Sequence, residues 1–244
     1  MSKKRRTQVA KIQKETDYLL NTKFAVKPIN PITKNQERLF KEYQENKNIL
    51  AIGSAGTGKT YISLYLALKD VLENQKYKQI IIVRSSVQTR DQGHLPGTEK
   101  EKMERFEAPY VDIVNDLYDR GDGYEILKKK GMIKFISTSI IRGLSFDNSI
   151  ILVDEVQSMN YHEIDTIITR LGQDSKIILC GDTRQDDLKN AGKHRSDVSG
   201  LRDFVRVAEK MPSFSTVKFE VDDVVRSGLV KEYILAKEIL ELAA

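Results

Sequence analysis

The residues of this chain best suited to chemistry are Gly53-Ser54-Ala55-Gly56-Thr57-Gly58-Lys59-Thr60, which fit the phosphate-loop pattern G-x-x-x-x-G-K-[ST] at every fixed position. Glycines at this spacing let successive backbone N–H groups turn inward around an anion, and a helix N-terminus following them adds favourable potential. Two carboxylates further on, Asp154 and Glu155, suit such a site. An aspartate at a strand tip can hold Mg²⁺, and the next carboxylate can orient or deprotonate water. Without the glycine loop, the same pair would read as a helix N-cap. Gln185, in Gly181-Asp182-Thr183-Arg184-Gln185, can hydrogen-bond a γ-phosphate or an attacking water. Gln36, upstream of the loop, carries a carboxamide that can both donate to and accept from an adenine edge. Its alternative is an ordinary surface glutamine of a helix.

These groups need elements to hold them. Ile49–Ile52 is a short apolar run that predicts a buried strand, and Tyr61–Leu72 repeats its apolar residues at helical spacing. Strand, loop and helix therefore follow one another as the motif requires. Four more apolar runs read as strands, at 79–83, 133–136, 149–153 and 176–180, with a last alternating one at 216–219. Between them, helices are expected at 34–45 (capped by Thr33), from Glu99 into Tyr110–Tyr118, at 158–171, at 201–211 and at 229–242. Strands alternating with helices predict an α/β fold with a mostly parallel sheet flanked by helices. In such sheets ligands meet the carboxyl ends of the strands. Asp154-Glu155, the Gly181 tip and the Arg84-Ser85-Ser86 corner all fall there.

Length and composition narrow the class. The 244 residues suit one α/β domain or two very small ones, and 40% hydrophobic content is enough for a core. No apolar run approaches the ~20 residues of a membrane span, and no apolar segment follows the basic N-terminus, so neither a membrane anchor nor a secretory signal is expected. Cys180 is the one cysteine, which excludes an internal disulfide and fits a reducing, cytoplasmic setting as a small buried hydrophobe. His94, His162 and His194 have no metal-site spacing. A net charge of +5 favours polyanionic partners without naming one. Residues 1–30 read as a basic arm and linker, with Lys3, Lys4, Arg5, Arg6, Lys11 and Lys14 ahead of Pro28, and residues 31–244 as the globular domain.

The glycine loop, Leu95-Pro96-Gly97, Val153-Asp154-Glu155-Val156-Gln157, Gly181-Asp182-Thr183-Arg184-Gln185 and Asp223-Val224-Val225-Arg226 occur in that order. In this the chain resembles the PhoH-like proteins, relatives of the ATPase half of superfamily 1 helicases, from about Pro31 onward. The resemblance implies a single RecA-like P-loop core that binds and hydrolyses ATP with Mg²⁺, tied to RNA or single-stranded DNA and with helicase or remodelling activity. It implies Lys59 and Thr60 as phosphate and Mg²⁺ contacts, Asp154 as the Mg²⁺ carboxylate and Glu155 as the group that activates water. It further implies Gln185 as γ-phosphate sensor, Gln36 as adenine reader and Arg226 as an arginine finger. Arg84, Ser85, Ser86 and Arg142 are the candidates to face nucleic acid. Superfamily 1 helicases carry two RecA-like domains and this chain has room for one. Arg226 is therefore expected to act across a subunit boundary in a homo-oligomer such as a hexameric ring, unless it pairs locally with Asp222 or Asp223. Two other functions fit the loop: a small-molecule or nucleotide kinase, which would want an arginine-rich lid, and a non-catalytic ATP-binding module, which would not need Asp154-Glu155.

Overall fold

The computed structural model describes residues 25–85, 99–182 and 199–240. Six strands, β1 (Asn48–Gly53), β2 (Gln79–Arg84), β3 (Ile133–Ser137), β4 (Ser149–Asp154), β5 (Lys176–Gly181) and β6 (Phe214–Phe219), form one sheet in the order β3-β2-β4-β5-β1-β6. Every neighbouring pair is parallel, so the expected mostly parallel sheet is parallel throughout. The reason lies in the strand sequences. Ile80 and Ile82 enter one core layer while Ile81 and Val83 enter the other, as do Ile150 and Leu152 against Ile151 and Val153. Strands apolar on both faces must be covered twice, which crossover helices in a parallel sheet achieve.

Helices α1 (Lys34–Gln44), α2 (Lys59–Leu72), α3 (Glu99–Tyr118) and α4 (Gly123–Lys129) supply one layer, through Leu39, Leu64, Leu68, Tyr110 and Tyr124. Helices α5 (Tyr161–Ile168) and α6 (Leu201–Ala208) supply the other, through Ile164, Ile167, Leu201 and Phe204. A final helix, α7 (Gly228–Ile239), follows the corner after β6. Packing begins ahead of the anticipated boundary at residue 31: Val26 is buried, and Lys27 N–H donates to the Leu117 carbonyl. Among the described residues no helix is long and apolar enough to cross a membrane.

The helix expected from Glu99 into Tyr118 is continuous and carries Pro109 internally. Two elements differ from the sequence reading. Helix α4 was not expected; it is a single short amphipathic segment whose Tyr124, Ile126 and Leu127 are buried. Helix α5 starts at Tyr161 instead of Ser158 because Glu155 is left-handed (φ 54°) and opens a 3₁₀ turn, Val156–Ser158. Asn160 then caps α5, its side chain accepting from Glu163 N–H while the Glu163 carboxylate accepts from Asn160 N–H.

The strand order positions the site. The chain runs from β1 through β2 to β3, then returns to insert β4 and β5 between β2 and β1. The carboxyl ends of β2, β4, β5 and β1 therefore lie side by side, with Arg84 in register with Asp154 and Ile52 with Gly181. Gly53 pairs with Phe219 of β6 at the other side of the loop strand. A Cβ on Gly53 would sit 2.0 Å from the Phe219 carbonyl oxygen, and its φ of +136° is a backbone state reserved to glycine. Strain of about 1–3 kcal/mol and overpacking of similar size make Gly53→Ala costly by about 2–6 kcal/mol. A urea midpoint for Gly53→Ala equal to that of the parent chain would contradict this.

Candidate active site

The loop between β1 and α2 is held from inside. Lys59 Nζ donates to the carbonyls of Gly53 (2.8 Å) and Ser54 (2.7 Å) and reaches Thr57 Oγ1 at 3.3 Å. Thr57 in turn donates to the Ser54 carbonyl at 3.0 Å. Burial pushes the Lys59 ammonium below its ordinary range, against the opposing pull of Cys180, Asp182, Asp154 and Glu155. An ammonium with its hydration replaced by backbone carbonyls is poised to exchange them for phosphate oxygens. Behind it, Cys180 is 1% exposed with Sγ 3.4 Å from Ser63 Oγ, and burial raises its thiol to about 12.

Asp154 ends β4 facing that loop. Thr60 Oγ1 donates to Asp154 Oδ1 at 3.0 Å and Tyr110 Oη donates to Oδ2 at 2.9 Å. Burial raises the Asp154 carboxyl and Glu155 adds to it, while the bonds from Tyr110 and Thr60 and the charge of Arg84 oppose. Among the described residues no three His, Cys, Asp or Glu side chains cluster as a metal cage. The chain thus offers a hydroxyl and one carboxylate, two hard oxygen donors that leave most of an octahedron to water and phosphate. That donor set fits Mg²⁺, which prefers such sites to all-protein cages.

Glu155 stands beside Asp154, and its carboxylate accepts from Gln157 Nε2. Gln157 Oε1 accepts from Asp182 N–H at 2.9 Å, so this buried side chain ties the tip of β4 to that of β5. Gln36 lies against the loop, 3% exposed, with Nε2 donating to the Thr57 carbonyl (3.0 Å) and Oε1 accepting from Ile32 N–H (2.9 Å). Both ends are engaged with backbone, each keeping one further hydrogen-bonding position. Gln36, Asp154, Glu155 and Asp182 border a cleft of about 790 Å³, within the ~300–1,000 Å³ usual for small-ligand sites.

Arg226 also borders this cleft. Val225 N–H donates to the Gly56 carbonyl at 3.0 Å, and the Arg226 stem lies over Gly56 so closely that a Cβ there would meet its Cγ at 2.8 Å. The corner is fixed by Asp223, which accepts from Asn35 Nδ2 and Glu220 N–H. Among the described residues Arg226 has no ion pair with Asp222 or Asp223. The structure brings it to the loop of its own chain.

The nucleic-acid candidates separate. Arg84 turns into the same cleft, its guanidinium 5.3 Å from the Phe106 ring centre, and Ser85 is 4% exposed. Arg84 thus stands at the strand-tip edge expected to meet ligands, on the cleft side. Arg142 is exposed, 3.1 Å from His162 Nε2, between the exposed apolar residues Ile140 and Leu144. Ser86, Gln185 and the Leu95-Pro96-Gly97 turn lie outside the described residues, as do His94 and His194. Two residues were missed. Tyr110 sits at helical spacing with Val114 and Leu117 and passes for core, although a buried phenol needs a polar partner. Gln157 closes the Asp-Glu-x-Gln sequence, and its role is invisible until β4 and β5 are seen to be neighbours.

A glycine loop between β1 and α2, facing a strand-tip aspartate, defines a P-loop nucleotide-binding α/β protein. The family model described as PhoH-like protein matches residues 28–238. The chain belongs to that family. It is 32% identical over 212 residues to a PhoH-like protein of Mycobacterium leprae, covering 85% of this chain and 58% of the relative. It is likewise 32% identical over 211 residues to one of Bacillus subtilis, covering 86% and 64%. The chain thus spans roughly three-fifths of the length of these curated relatives. Among solved structures it is distantly similar to the large terminase of a thermophilic bacteriophage, with a TM-score of 0.47 at 13% identity over 84% of this chain and 50% of that one.

Proposed function

We propose that this protein hydrolyses ATP with Mg²⁺ and couples hydrolysis to binding RNA or single-stranded DNA, with strand separation or remodelling as the outcome. The observation that carries the reading is the 3.0 Å contact between Thr60 and Asp154, which joins the phosphate loop to a metal-capable carboxylate with Glu155 next to it. Lys59 and the loop N–H groups hold the phosphates. Glu155, oriented by Gln157, takes up the proton of the attacking water, and Arg226 meets the charge on the γ-phosphoryl group. When bound, Mg²⁺ supplies neutralisation of the charge developing on the phosphate oxygens. Gln36 reads adenine with the positions it has left, and Gln185 senses the γ-phosphate.

The net positive charge and the exposed Arg142 between Ile140 and Leu144 support a polyanion partner at the β3–β4 connection. Leu229, Tyr233 and Leu240 of the α7 region are 77%, 66% and 65% exposed, which supports self-association through that helix. The test is ATP turnover with and without single-stranded RNA or DNA at two salt concentrations. Stimulation that fades as salt rises is expected, because phosphate contacts release counterions. Turnover indifferent to both polymers would remove the polymer from the reading, and no turnover at all would remove hydrolysis.

A further inference from the structure

We propose that Tyr110 is a positioning residue that confines Asp154 to a single coordinating oxygen and thereby favours Mg²⁺ over larger divalent cations. This rests on Asp154 being the cation carboxylate of the proposed site. Tyr110 is 1% exposed, on the inner face of α3, and its hydroxyl is 2.9 Å from Asp154 Oδ2. The phenol ring is fixed by Phe135, ring centres 5.6 Å apart, and by its place in the core layer with Val114 and Leu117. It has no freedom to follow the carboxylate if the carboxylate turns.

The two oxygens of Asp154 are thereby made unequal. Oδ1 faces Thr60, the other oxygen donor of the site, and Oδ2 faces a fixed phenol in the interior. A cation meeting Thr60 is offered Oδ1, while bidentate capture would require rotating the carboxylate off Tyr110. Mg²⁺ takes near-ideal octahedral geometry at about 2.0–2.1 Å, whereas Ca²⁺ accepts six to eight ligands at about 2.3–2.6 Å and readily uses carboxylates bidentately. A group that blocks the bidentate mode therefore selects the smaller ion. Neighbours of a metal ligand that fix its orientation typically change metal affinity about 10–100-fold when removed.

The test measures binding of N-methylanthraniloyl-ADP to the full chain by fluorescence while Mg²⁺ or Ca²⁺ is titrated, comparing the parent with Tyr110→Phe. Tyr124→Phe is the control for loss of a buried phenol hydroxyl, since Tyr124 donates to Glu107 at 2.6 Å away from the loop. Tyr110→Phe is expected to raise the half-saturating Mg²⁺ concentration about 10–100-fold, to move the Ca²⁺ value less, and to leave binding in EDTA unchanged. Tyr124→Phe is expected to move neither cation value. An unshifted Mg²⁺ value in Tyr110→Phe, an equal shift for both cations, or an equal shift in Tyr124→Phe would each overturn the proposal. A parent chain whose nucleotide binding ignores divalent cations would overturn the cation role of Asp154 itself, and this proposal with it.

Discussion

An Arg226→Ala chain should hydrolyse ATP about 10³–10⁵-fold more slowly than its parent while binding nucleotide with similar affinity. The placement of this arginine starts at β6, which is paired to the loop strand along its whole length. The chain leaves β6 into a 3₁₀ turn at Val221–Asp223, and Asp223 anchors that turn to Asn35 at the start of α1. Two residues later Val225 bonds to Gly56, so the next side chain starts at the loop itself. An arginine delivered there by its own backbone stands at the phosphate loop of its own chain. Arg226→Met keeps the stem over Gly56 and removes the charge, and the same rate loss without a stability loss is expected. Mixing Arg226→Ala with Lys59→Ala chains distinguishes the sources of the arginine. No recovery is expected if each chain uses its own, whereas recovered turnover would assign the arginine to a neighbouring subunit. Undiminished turnover in Arg226→Ala alone would exclude it from the chemistry.

Glu155→Gln should lower turnover about 10²–10⁴-fold, the usual worth of a positioned general base, and leave nucleotide affinity near that of the parent. Glu155 is held in a left-handed backbone state that few non-glycine residues adopt. That state swings its side chain away from the strand axis and into contact with Gln157. The amide substituent keeps the size and one acceptor oxygen, so the local turn should survive, but it cannot take a proton from water. Single-turnover rates with pre-bound ATP, measured beside equilibrium nucleotide binding, check both halves. A Glu155→Gln rate within a few-fold of the parent would move the base elsewhere.

Much of this site was legible before any coordinates because its parts lie on strands that are apolar on both faces. Such strands announce themselves, and a parallel sheet sends all their carboxyl ends to one edge. The family resemblance implies Thr60 and Asp154 as joint Mg²⁺ contacts, and the two side chains meet at 3.0 Å. What was not legible depended on long-range packing. Arg84 is a candidate to face nucleic acid at its strand tip, and its guanidinium lies beside Phe106 of α3 at the cleft, a neighbour that sequence order does not disclose. Tyr110 shares the spacing of its apolar neighbours, and only the position of Asp154 across the layer makes it polar in function. The start of α5 moved by a few residues because one positive φ, at Glu155, delayed the helix until Asn160 could cap it. The sequence resemblance implies an Arg226 that acts across a subunit boundary, and its approach to Gly56, which follows from the β1–β6 pairing within one chain, was not legible in that resemblance.

The thiol of Cys180 has a consequence of a different kind. It is the sole cysteine of the chain, it is sealed in the sheet behind Lys59, and its proton is held to about pH 12. A thiol in that state is inert to alkylating reagents until the layer around it opens, since only the exposed thiolate reacts. The protein therefore carries its own stopwatch for the nucleotide loop: the labelling rate of one native atom records how often the floor of the site comes apart, and how much a bound nucleotide slows that opening.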